Sequence, residues 1–234
     1  MSSSSSAPSV ELVYWPGLPG RGEFVRLVLE HLRVPFADTT DGQRCAALRA
    51  QTGAGFAPPY LVADGRVLNQ TANIAAFLVH RFGWKHPADT FQLNAVALTI
   101  MDVVAEVHNT HHPLDVTKYY EEQKDTAAAY TDAFFPARLD KWLAYFARQI
   151  EANDGFLFNG QLSYVDLFLF QLIEGIRFAF PKRSLPILNK YENVVALVEK
   201  VRKQLKPYLD SDRRQPFNNK GIFRFYPELD EIKH

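Results

Sequence analysis

Apolar residues change their period once along this chain, and no other feature constrains the fold as much. Up to residue 84, short strand-like runs alternate with helical ones; after the break "WKHPAD" every long segment repeats at helical spacing. Val10 to Trp15 reads as a strand, and Gly20 to Arg33 as a helix with Phe24, Leu27, Val28 and His31 or Leu32 on one face. "VPFADTT" supplies a second strand, and "GQRCAALRAQTG" a short helix closed by Gly53. "PPYLVADGRVLN" predicts a hairpin, because two apolar runs flank Asp64-Gly65, and "QTANIAAFLVHRFG" predicts a helix ending at Gly83. The predicted order is βαβαββα.

The second part predicts an all-α bundle. Asp89 to His112 carries Leu93, Val96, Ala97, Ile100, Met101, Val104, Val107 and His108 on one stripe, and Pro113 stops it. The pattern returns at Leu139, Trp142, Leu143, Phe146 and Ile150, and at Val194, Val195, Val198, Val201 and Leu205. In "LSYVDLFLF", Ser163 and Asp166 stand where a capping box needs them, with Leu162 and Leu167 placed for a hydrophobic staple; this is a folding signal. The expected organisation is a disordered tail at 1–9, an α/β domain at 10–84, a helical domain at 89–209 and an aperiodic extension at 210–234. That extension's aromatics Phe217, Phe223, Phe225 and Tyr226 require it to pack on the body.

Charge narrows the function classes. Lys plus Arg and Asp plus Glu both total 26, so no net field favours nucleic acid or an anionic membrane. Cys45 is the single cysteine, which excludes an intramolecular disulfide framework and a cysteine metal cluster. "MSSSSSAPS" has neither the flank and apolar run of a signal peptide nor the arginines of a transit peptide. "YVDLFLFQLIEGI" is interrupted by Asp166, Gln171 and Glu174, so it reads as a buried helix rather than a membrane span. A cytoplasmic chain is expected.

The chemistry concentrates in "VYWPGLPGRGEFVRLVLEHL", where a strand ends on Tyr14 and a glycine-proline turn opens a helix. Such a junction gathers main-chain amides and a helix dipole on a bound anion. A tyrosine hydroxyl there is either structural or a donor that stabilises a thiolate and lowers its thiol's pKa.

Together with three motifs further along the chain, this stretch resembles the tyrosine-type cytosolic glutathione transferases, the branch of the sigma and pi classes. "VYWPGLPGRGE" is similar to the family's catalytic tyrosine, aromatic, turn and Arg-Gly; "APPYL" to its clamping loop with a cis-proline, here Pro59; "LNQTANI" to its Gln-Ser pair, here Gln70 and Thr71; and "LSYVDL" to its capping box. The resemblance spans roughly residues 10–209 and implies a thioredoxin-like βαβαββα domain followed by a helical bundle. The loop after Tyr14 is one residue longer than in the pi class, and the extension after Arg213 has no counterpart in well-known classes.

The resemblance implies a homodimer that conjugates glutathione, its co-substrate, to small hydrophobic electrophiles, with peroxide reduction as a side activity. Tyr14 would hold the thiolate, with Arg21 orienting it or standing as a surface charge. Gln70 and Thr71 would hold the γ-glutamyl carboxylate, unless Thr71 only caps its own helix. The carbonyl of Pro58 would pair with the cysteinyl N–H, the donor half being lost because proline has no N–H, and Arg44 or Arg49 would meet the glycine carboxylate. Trp15, Leu18, His111 and His112 would line the electrophile pocket, and Phe56 would key into the partner subunit. "EVHNTHHP" invites a metal reading, but only Glu106 accompanies the histidines and it points elsewhere, so no metal is expected. Cys45 lies far from the first helix start, where cysteine-type relatives keep their nucleophile, and no serine lies between Val10 and Arg49. The alternatives are a glutathione-dependent isomerase, a non-catalytic binding or structural protein on the same fold, and a metal-dependent enzyme at the histidine cluster.

Overall fold

The computed structural model describes residues 9–51, 53, 55–86 and 88–232; the expected tail at 1–9, Ser9 excepted, lies outside the described residues. The chain divides into two compact units, Met1–Trp84 and Lys85–His234.

The first unit runs β1 (Val10–Tyr14), α1 (Gly22–Leu32), β2 (Ala37–Thr40), α2 (Gly42–Arg49), β3 (Tyr60–Ala63), β4 (Arg66–Asn69) and α3 (Thr71–Arg81). One sheet has the order β2-β1-β3-β4, with β1 parallel to β2 and the other pairings antiparallel. The parallel pair requires a crossover, which α1 supplies. Leu12 and Val13, neighbours on opposite faces of β1, are both fully buried, so this central strand is covered on both sides. One cover is α2, whose Cys45 and Leu48 pack with Val13 and Tyr60. The β3–β4 turn holds Asp64 at φ 50° and Gly65 at φ 71°, the left-handed pair that a two-residue hairpin demands.

One part of this unit escapes periodicity. Glu23 and Arg26 on α1 are fully buried and paired at 3.2 Å, and the Arg26 guanidinium also donates to Asp38 of β2 at 2.8 and 3.1 Å. This chain of charges fastens α1 to β2 beneath the turn after Tyr14.

The second unit is helical: α4 (Thr90–Asn109), α5 (Lys124–Ala133), α6 (Asp140–Ala152), α7 (Tyr164–Ala179), α8 (Ser184–Leu188) and α9 (Glu192–Leu209). Between α5 and α6 the chain winds through a π-helical turn, Phe134–Leu139. Pro136, which has no N–H to donate, sits inside it and breaks the regular ladder. The almost wholly buried α7 forms the centre. Its start is closed by Asp166, whose carboxylate accepts from Ser163 N at 2.7 Å, Ser163 Oγ at 2.6 Å and Leu157 N at 2.8 Å. Among the described helices only α4 is long and apolar enough to span a membrane by length and composition, and its stripe Leu93, Val96, Ala97, Ile100, Val104 and Val107 is buried inside this unit.

Residues 210–232 lie on the same unit. The Asp230 carboxylate accepts from the main-chain N–H groups of Lys182 and Arg183 at 3.1 and 2.9 Å, Phe217 stacks on Phe178, and Tyr226 stacks on Tyr120 at 3.8 Å between centroids. The Phe223 ring occupies the space over Gly175 that any larger residue would fill.

Candidate active site

Tyr14 ends β1 only 5% exposed, under the turn that opens α1. Its phenolic oxygen accepts the main-chain N–H of Arg21 at 2.9 Å. The spacing of "GRG" follows from this packing. A Cβ on Gly20, which sits at φ 44°, would collide with the phenol oxygen, and one on Gly22 would lie 2.7 Å from Cγ of the ring. Burial raises the phenol's pKa above its usual value, against the opposing pull of the Arg21 amide and the Arg21 and Arg26 charges. Tyr14 is therefore a neutral O–H at pH 7. With its oxygen accepting from Arg21, the hydroxyl hydrogen can be donated to an anion.

The start of α3 supplies a second set of groups. Gln70 stands just before the helix at φ 65° and ψ 120°, an unfavourable backbone conformation for a residue with a side chain. Thr71, 3% exposed, is the first helical residue, and its buried Oγ1 has no hydrogen-bond partner among the described residues. No side chain caps this helix, so the self-capping role open to Thr71 is not the one it takes. A buried orphan hydroxyl costs about 1–3 kcal/mol. Here it stands beside main-chain N–H groups that the helix itself leaves without acceptors, a setting suited to a carboxylate.

The Pro58–Pro59 peptide bond is cis and both prolines are buried, directly before β3. Trp15 is exposed and Leu18 half-buried in the turn after β1.

Other expected site residues are engaged elsewhere. Arg44, expected at a glycine carboxylate, instead donates to the Glu11 carboxylate at 2.7 and 3.3 Å; Glu11 points from β1 toward α2, and Thr39 donates to it as well. Arg49 is exposed, with its guanidinium 5.0 Å over the Phe56 ring. His111 and His112, expected in an electrophile pocket, are only 1% and 5% exposed and bonded to each other, and His111 is also bonded to Ile222 O in the segment after α9. No sequence pattern shows that this segment covers them. Arg21 contributes its amide to Tyr14, where the resemblance points to its side chain. Sequence reasoning misses Glu23 and Arg26 altogether; their signal is an i,i+3 charge pair set within the apolar stripe of α1.

Residues 108–212 match the family model described as "Glutathione S-transferase, C-terminal domain". A Dictyostelium discoideum protein named for glutathione S-transferase alpha-2 is 26% identical over 99% of this chain and 99% of its own. A Caenorhabditis elegans protein named as glutathione S-transferase 7 is 29% identical over 87% of this chain and 97% of its own. Among solved structures, prostaglandin synthase D of Nilaparvata lugens superimposes with a TM-score of 0.68 at 22% identity, covering 89% of this chain and all of that one. The Onchocerca volvulus pi-class glutathione S-transferase does so with a TM-score of 0.65 at 18% identity, covering 86% and 92%. In sequence and in fold the chain is thus similar to the glutathione S-transferases, and residues 108–212 match the model of that family's C-terminal domain.

Proposed function

We propose that the protein is a glutathione transferase in which Tyr14 holds the glutathione sulfur as a thiolate for attack on a small hydrophobic electrophile. The observation that carries this reading is the buried Tyr14 hydroxyl, fixed by the Arg21 amide and kept protonated by its surroundings. A free thiol with a pKa near 8.5 is mostly protonated at pH 7, and lowering it by two units requires about 2.7 kcal/mol. One hydrogen bond to a charged acceptor contributes about 1.5–3 kcal/mol, and the dipole of α1 adds to it. The thiol proton leaves to solvent, the sulfur lone pair forms the new bond to the electrophilic carbon, and the displaced group carries its electron pair away. Tyr14 keeps its proton throughout, so it acts as a donor and not as a base.

Glutathione's γ-glutamyl carboxylate would lie at the start of α3, where the Thr71 hydroxyl and the first N–H groups of the helix are open to it, with Gln70 alongside. The Pro58 carbonyl would take the cysteinyl N–H. Of the two arginines proposed for the glycine carboxylate, Arg49 is the better candidate because Arg44 is paired with Glu11. Trp15 and Leu18 would border the electrophile. The sigma- or pi-like tyrosine type, the homodimer with Phe56 as its key, the cytoplasmic location and a peroxidase side activity belong to the same reading.

The test is conjugation of glutathione to a chloronitrobenzene, together with retention on immobilised glutathione. Turnover that drops in Tyr14→Phe while retention persists supports the reading. Retention without turnover in the unaltered chain makes the protein a binder instead of a transferase, and the absence of both retention and turnover overturns the proposal.

A further inference from the structure

The end of α4 brings together three imidazoles that the proposed glutathione chemistry does not use. α4 stops at Asn109, and the main-chain N–H groups of His111 and His112 both turn back onto the carbonyl of His108, at 3.3 and 3.2 Å. That tight turn faces the three rings toward one another, with centroid separations of 4.7 to 5.1 Å. One ligand nitrogen from each of His108, His111 and His112 lies within 4.8 Å of the others.

The hydrogen bonds decide where the protons sit. The carbonyl of Ile222 can only accept, so the hydrogen that spans the 3.0 Å to His111 Nε2 belongs to the imidazole. Neutral His111 therefore carries its lone pair on Nδ1. This nitrogen faces Nδ1 of His112 at 2.5 Å, so the hydrogen between them belongs to His112. A metal-ligating histidine is held in this way, one nitrogen donating to a backbone carbonyl and the opposite lone pair facing the metal, and in His111 that lone pair faces His112.

We propose that His108, His111 and His112 form a binding site for a divalent zinc-type cation, with the metal taking the place of the proton now shared between His111 and His112. Zinc–nitrogen bonds are about 2.0–2.1 Å, so tetrahedral ligand nitrogens stand roughly 3.3 Å apart. The shared pair must open slightly, and His108, which is half-buried, must swing inward. Both are ring rotations. On binding, His112 moves its proton from Nδ1 to Nε2, and no net charge is lost from the protein. Three imidazoles leave the fourth position to water, and imidazole nitrogen suits zinc and its late first-row neighbours better than calcium or magnesium.

The surroundings shield the cluster, His111 being 1% and His112 5% exposed. Because Ile222 is the second partner of His111, an occupied site would also fasten the segment after α9 to the end of α4.

Full-length protein, stripped with a chelator and dialysed, should bind one equivalent of Zn²⁺ per chain in calorimetry. Co²⁺, used as a probe, should show the intense visible absorption of a tetrahedral nitrogen site. His108→Ala alters a half-buried ring and should weaken Zn²⁺ binding at least about 100-fold, the upper end of what losing a mere hydrogen-bond partner of a ligand costs. His112→Asn, as a second variant, should do the same, while His80→Ala on the exposed face of α3 should leave binding unchanged. Substoichiometric binding, or an affinity that survives both His108→Ala and His112→Asn, overturns the proposal. Glutathione retention, measured in parallel, reads the other site independently.

Discussion

The main-chain N–H of Arg21 donates to the phenolic oxygen of Tyr14 at 2.9 Å, across the turn that joins β1 to α1. The bond fixes where the hydroxyl hydrogen can point, and it needs a glycine on each side of Arg21 to let the ring lie close to the backbone. Tyr14→Phe removes the donor while keeping the ring. For a chain that conjugates glutathione, kcat/KM at pH 6.5 should fall by roughly 10- to 100-fold, the equivalent of one charge-assisted hydrogen bond at about 1.5–3 kcal/mol. Glutathione retention should change little, because the tripeptide's other contacts remain. The pH at which the thiolate forms, read from its ultraviolet absorbance, should move up by about one to two units on the same grounds. An unchanged profile would remove Tyr14 from the chemistry.

Gly20→Ala tests the same packing from the other side. The added methyl group meets the phenol oxygen and sits at a positive φ that favours glycine. It should cost about 1–3 kcal/mol of stability and lower turnover as the hydroxyl is displaced. Thermal melting and the conjugation assay measured together would show whether the two losses move as one.

Thr71 separates ligand binding from folding. Its hydroxyl is buried and unpartnered, so Thr71→Val should leave stability unchanged or raise it by about 1 kcal/mol. If the hydroxyl meets a carboxylate of glutathione, the same change should weaken glutathione binding by about tenfold or more, the equivalent of a hydrogen bond to a charged group. Urea unfolding and calorimetry on one variant give opposite signs for the two properties, which an ordinary core residue would not.

The order of elements is legible in the sequence because it rests on local signals. Asp64-Gly65 specifies the hairpin, Ser163 and Asp166 specify the start of α7, and the change of period after Trp84 separates strands from helices. What is not legible is non-local. Glu11 of β1 and Arg44 of α2 stand 33 positions apart and meet only once the sheet has formed. Glu23 and Arg26 look like a solvated face of α1, although their i,i+3 spacing lies on its apolar side. The stripe of α4 runs on to His112 in the sequence, whereas the helix stops at Asn109, because Thr110 begins a turn closed by its own hydroxyl on the Val107 carbonyl at 2.6 Å. In the same way, a sequence displays the side chain of Arg21, and no residue pattern reports which main-chain amide a fold will use.

The charge chain under the first turn should be costly to cut on one side only. Arg26→Met leaves Glu23 buried without its cation and Asp38 without its fork. Breaking such a pair costs about 3–5 kcal/mol, whereas removing both charges with Glu23→Gln and Arg26→Met together should cost less than the single change. Denaturant unfolding of the single and double variants checks the inequality.

Asp166 makes the stability of the helical unit depend on pH with a definite sign. Burial raises its pKa to about 6, against the three hydrogen bonds it accepts, while the unfolded chain keeps the ordinary value of 3.8. Between these values the folded protein holds more protons than the unfolded one, so this group's contribution is fully present below 3.8 and declines as pH rises to about 6. At about 1.4 kcal/mol per unit the decline sums to roughly 3 kcal/mol. Asp166→Asn does not titrate, so the difference in unfolding free energy between the unaltered chain and this variant isolates the contribution. That difference should shift by about 2.5 kcal/mol in favour of the variant between about pH 4 and pH 7, the rest of the decline lying below pH 4. A difference that stays flat would mean that the hydrogen bonds from Ser163 and Leu157 offset the burial, so that the carboxylate titrates in the folded protein as it does in the unfolded chain.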